Sequence, residues 1–164
     1  MSTKNKLGPA SSVLGVILLL TGTLLHPMHA NPNDALAAFT EYAADPHWQA
    51  THLMQLAGVL AIVVGLILFA NRLDVKGDSG LVKLSVAGAT ISAALAAVLQ
   101  AVDGVALKMM VGAWASAAAA DKPSLFHATL AIRYIEIGIA SMFCLAIGFT
   151  AVMFSAVIYT EKQF

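Results

Sequence analysis

The groups in this chain that could bind a metal ion or move a proton are unevenly placed. Four of its five histidines, His26, His29, His47 and His52, fall within residues 26–52, a stretch without lysine or arginine. Two carboxylates, Asp103 and Glu136, interrupt long apolar runs further along. Ionisable groups in such runs are unfavourable unless they pair with one another or hold a ligand. Imidazole mixed with carboxylate suits copper, iron or zinc, so the first candidate metal set is His26, His29, His47, His52, Asp103 and Glu136. Met28, between two imidazoles, adds a soft thioether that favours copper over magnesium or calcium.

None of the spacings is a dedicated chelating motif. His26 and His29 share a helix face only if helix persists through Pro27, and His47 and His52, five apart, point about 140° away from each other on a helix. Haem b is the second cofactor reading, with two axial imidazoles drawn from His26, His52 and His127. A protein with no cofactor is the third. The charged residues also have a structural explanation: Arg133 and Glu136 are spaced for an ion pair along one helix, and Asp103 could pair with Arg133. With Gln100 and Lys108 the same groups could instead line a polar path.

The elements that must position these residues follow from composition. A mean hydropathy of +0.82, with 59% hydrophobic and 11% charged residues, is far from the roughly one-quarter charged residues of soluble domains. The expected fold is an all-α integral membrane protein, a four-transmembrane-helix bundle. A formal net charge of zero offers nothing to nucleic acid.

The first span is expected at residues 7–25. It follows a basic start, but Met28-His29-Ala30 is a poor signal-cleavage site, so the run is read as retained. Residues 26–47 form an external segment in which Asn33 or Asp34 caps a short helix ending at Ala44. Leu36, Phe39 and Ala43 share one side of it, which is expected to rest on the membrane surface. The second span covers 48–70 and the cytoplasmic turn 71–80. Glycines seven apart, Gly15 with Gly22 and Gly58 with Gly65, mark faces for close helix contact. Two longer helices, 81–114 and 124–159, exceed what a bilayer of about 30 Å needs. They should project and be joined by the loop 115–123 as a small external cap. Cys144 stands alone and is read as a packed residue.

Lys4, Lys6, Arg72, Lys76, Lys83 and Lys162 all fall at one end of such a bundle, which predicts cytoplasmic termini. In a bacterium the protein would lie in the inner membrane, with the histidine-rich segment outside. Counting a rise of about 1.5 Å per residue from that end puts His26 and His52 at roughly 28 Å, Asp103 at roughly 33 Å and Glu136 at roughly 35 Å. All four helices then contribute to one layer near the outer surface.

No P-loop, CxxC, CxxCH, GxSxG or dinucleotide-binding glycine pattern is present. The expected function is a small membrane subunit binding a transition metal or haem in a redox, electron-transfer or oxygenase-type complex. It would work with other membrane subunits or as a homo-oligomer. The alternatives are a cofactor-free accessory subunit and an oligomeric small transporter or channel.

Overall fold

The structure, a computed structural model, describes residues 6–74 and 79–161. Lys4, Lys76 and Lys162, part of the expected basic end, lie outside these residues. The protein is an all-α bundle in which four helices are long and apolar enough to cross a membrane. Helix α1 spans Leu7–Leu25, the short α2 spans Ala35–Ala44, and α3 spans Trp48–Leu73. Then comes one continuous helical rod, Gly80–Ser116. It consists of α4 (Gly80–Gln100), a π-helical turn (Ala101–Leu107) and α5 (Lys108–Ser116). The last helix, α6, runs Lys122–Glu161.

Two seams of small residues hold the spans together. On α1, Gly8, Gly15 and Gly22 are buried at intervals of seven; Gly8 meets Gly65, Gly15 meets Gly58, and Gly22 meets Thr51 and Gln55 of α3. A Cβ on Gly15 would sit 2.6 Å from the Gly58 carbonyl oxygen, and one on Gly58 would sit 2.6 Å from the Leu19 nitrogen. Backbone approach this close gives dispersion contacts that larger residues would block, the main source of helix association where lipid replaces water. The Ser11 hydroxyl adds a hydrogen bond to the Ala61 carbonyl, 2.7 Å long. The second seam joins α4 and α6. There Gly88 faces Thr150, and the Ser92 and Thr150 hydroxyls lie 3.4 Å apart.

Both rods outrun a bilayer. Thirty-seven residues in the first and 40 in α6 correspond to roughly 55–60 Å at the helical rise, about twice the apolar thickness of a membrane. At one end the excess length builds a cap with its own core of Ala38, Phe39, Tyr42, Trp48, Leu107, Val111 and Trp114. Asp34 starts α2 by accepting hydrogen bonds from the Leu36 and Ala37 N–H groups, both 3.1 Å long. Lys108 finishes it: its ammonium donates to the carbonyls of Tyr42, Ala43 and Asp45 at 2.7, 3.0 and 2.7 Å. A cation satisfying the orphan carbonyls of a helix end also complements its dipole. Lys108 is therefore a clamp on α2, not part of a polar path.

The cap divides the side of α2 that was expected to lie on the membrane. Phe39 is fully buried among Trp114 and Phe126 and Ala43 rests against the same core, while Leu36 is 58% exposed. The projecting ends of α5 and α6 offer Phe39 a drier surface than a headgroup layer does. Cys144 is exposed on α6, not packed inside, because it lies off the side that α6 turns to the first rod. The outward apolar side chains, among them Leu20, Leu145 and Val152, form the lipid-contacting surface.

The seam generates a direct prediction. Gly58→Leu should lower stability by about 2 kcal/mol or more, since the added volume meets backbone on both sides. Gly138→Ala, where an added Cβ meets nothing within 4 Å, should leave it unchanged or slightly raised. Thermal denaturation in mild detergent measures both, and equal midpoints for the two variants would contradict the seam.

Candidate metal centre

Three elements bring the site together where the cap meets the spans. His26 caps the C-terminus of α1, its backbone turning out of the helix because Pro27 cannot continue it. His52 lies one turn into α3 and is 2% exposed. Asp103 sits in the π turn, where one extra residue per turn opens the helix and re-aims its side chains, a device common at functional sites. Gly104 allows the approach: a Cβ there would be 2.8 Å from the His52 Cβ. Trp48 ties the three together. Its indole N–H donates to the Asp103 carbonyl at 3.0 Å, and its ring centre lies 4.5 Å from His52 and 4.8 Å from His26.

The hydrogen bonds determine which imidazole nitrogens are free. His52 Nδ1 is 2.7 Å from the Trp48 carbonyl oxygen, and His26 Nδ1 is 2.9 Å from that of Pro27. A carbonyl can only accept, so each Nδ1 carries the proton and Nε2 is left as the ligand atom. Metal-binding histidines are commonly oriented by such a bond from the other ring nitrogen. Burial holds the pKa of His26 below its ordinary value of 6.5, partly offset by the Pro27 hydrogen bond, which favours the neutral, ligating form.

The contact between His52 and Asp103 is the unusual one. Nε2 lies 3.1 Å from Asp103 Oδ2, yet Nε2 is buried without an aligned hydrogen-bond partner, and Asp103 Oδ1 is likewise unpartnered. A cation beside Nε2 and the carboxylate would give both a partner. With ligand bonds of about 2.1 Å, a separation of 3.1 Å subtends roughly 95° at one ion. One ligand atom from each of His26, His52 and Asp103 lies within 4.8 Å of the others. Two opposite ligands on a single ion are at most about 4.2 Å apart, so binding one ion requires the cluster to close by about half an ångström or more.

The remaining expected ligands lie outside the three-residue cluster, although Glu136 shares its cleft. Glu136, 7% exposed, is bonded to Arg133 on its own helix, so the ion pair along α6 forms and an Asp103–Arg133 pair does not. Arg133 also lies over the Tyr42 ring, 5.9 Å from its centre. His29 and His47 are exposed; their backbone N–H groups bond to Glu41 and Asp45. His127 is exposed near the start of α6 beside Phe126. For haem, two opposite axial imidazoles put their ring centres about 6 Å apart. The His26 and His52 rings, 5.0 Å apart and inclined at 61°, are closer than that.

A cleft of ≈ 470 Å³ opens beside the cluster, lined by His26, Met28, Tyr42, Asp103, Arg133 and Glu136 among others. Its wall is the strap after α1, which Glu41 fastens by accepting from the N–H groups of Ala30 and His29 at 2.9 and 3.0 Å. Trp48, Glu41 and the π turn complete the site without any spacing in the sequence that marks them. Gly104 next to Asp103 was the visible hint of a backbone approach.

The Ala30 hydrogen bond, with that of His29, lowers the pKa of Glu41 below the ordinary 4.5. A depressed carboxylate stabilises the strap at pH values above the unfolded pKa and releases it as pH falls through the folded one. The amide resonances of Ala30 and His29 should therefore titrate with a midpoint below 4.5. A midpoint at or above that value would mean the clamp does not form in solution.

Comparison with known proteins gives no match, neither to a family model nor to a curated protein or a solved structure.

Proposed function

We propose that this is a small integral membrane protein that binds one divalent transition-metal ion through His26, His52 and Asp103. The observation that carries this reading is the buried approach of His52 Nε2 to Asp103 Oδ2 at 3.1 Å without an aligned hydrogen bond. A shared proton would draw the pair into line, whereas a shared metal ion would not. Two imidazoles and one carboxylate form the ligand set of open non-haem iron sites, and they also suit zinc. With no thiolate in the set, iron(II) or zinc is favoured over copper(I). Three protein ligands leave positions directed at the cleft. There a bound ion would act as a Lewis acid or, for iron, as a redox centre.

The setting supports a role in a redox or oxygenase-type membrane complex. The cleft lies at one end of the bundle, where water, membrane-borne molecules and a partner subunit can all reach it. Lys6, Arg72 and Lys83 lie at the opposite end, which with the basic residues of the termini and the 71–80 turn in the sequence supports an external site and cytoplasmic termini, the periplasmic side of the inner membrane in a bacterium.

Purified, metal-stripped protein titrated with zinc or iron(II) should take up about one equivalent by calorimetry. Substituting a ligand typically weakens binding by at least the 10- to 100-fold seen for outer partners. His26→Ala, His52→Ala and Asp103→Asn should each show such a loss, while His29→Ala, His47→Ala and His127→Ala keep the affinity of the unaltered protein. Equal binding by the His52→Ala variant would overturn the assignment.

A further inference from the structure

Charge balance in the cleft points to what the metal's open face receives. Asp103 brings one negative charge, and the ion pair of Arg133 with Glu136 cancels internally. The imidazoles are neutral as ligands. Counted over the three ligands alone, a divalent ion keeps one net positive charge; Glu41 and Asp45 lie outside them, each accepting from backbone N–H groups. An uncompensated charge is disfavoured at the end of an apolar bundle, so the site should draw in one negative charge.

Arg133 is placed to select it. Its guanidinium lines the same cleft as His26 and Asp103. Among the described residues it makes one side-chain hydrogen bond, through a single Nη, to Glu136, and it remains partly exposed. Its planar fork has further N–H donors, and a fork of this shape matches a carboxylate through two parallel hydrogen bonds. The Tyr42 ring centre lies 5.9 Å from its Cζ, and Glu136 holds one Nη.

Resting on the metal reading above, we infer that the site takes a monoanionic carboxylate, bound through the metal's open face and the free donors of Arg133. A carboxylate reaching a cleft at a membrane surface has two sources, a small water-borne acid or the headgroup of a fatty acid whose tail lies in lipid. Both present the same group to Arg133.

The test uses the full-length protein in detergent, loaded with cobalt(II), and follows the visible ligand-field bands while acetate or octanoate is added. Acetate should shift the bands saturably. Arg133→Lys, which keeps the charge and loses the fork, should bind cobalt as tightly as the unaltered protein but weaken acetate by about 10-fold or more. Octanoate binding much more tightly than acetate assigns the membrane source; equal affinities assign the aqueous one. Bands that ignore both acids, or an acetate affinity untouched by Arg133→Lys with cobalt still bound, would overturn the carboxylate inference alone. Failure of cobalt to bind would overturn the metal reading with it.

Discussion

His52 Nε2, buried without an aligned partner 3.1 Å from a carboxylate oxygen of Asp103, is the constraint around which the rest of this molecule makes sense. Neither group can turn away. The Trp48 carbonyl fixes the imidazole through Nδ1, and the π turn together with the Trp48 indole fixes the backbone of Asp103. His52 is buried, while Asp103 keeps one side on the cleft. A cation between them would turn this contact into a ligand set, and the two carbonyl-bound Nδ1 atoms would leave both Nε2 atoms for it.

The bundle serves that constraint in layers. The glycine seam fixes the depth of α1 against α3, and with it the height of His26 beside His52. Lys108 and Asp34 hold the two ends of α2, which seats Tyr42 and Phe39 in the cap and lets Glu41 fasten the strap that follows His26. The π turn is where the long rod departs from regular α geometry, and that departure coincides with the site carboxylate. Regular helix is kept where only lipid and neighbouring helices are touched.

Much of this was legible in the sequence because its signals are local. Four apolar runs, glycines seven apart and Asp34 ahead of an alanine-rich stretch each have a physical meaning at a single helix face or end. Counting helical rise was enough to bring His26, His52, Asp103 and Glu136 to one level. What stayed hidden depends on contacts between elements. The π turn has no residue that demands it; Asp103-Gly104 becomes informative only once His52 is known to lie against it. Leu36 and Phe39 look equivalent on a helical wheel and separate only because the projecting ends of α5 and α6 cover one of them. Lys108 and Arg133 each had several partners within reach by register, and the fold selected backbone carbonyls for the first and Glu136 for the second.

The most direct test of the central claim is X-ray absorption at the metal edge of zinc-loaded protein, which reads the ligand shell itself. The account predicts a shell of nitrogen and oxygen at about 2.0–2.1 Å, with the outer-shell scattering of two imidazoles and no sulfur. A shell with one imidazole or none, or one containing sulfur from Met28 or Cys144, would contradict it.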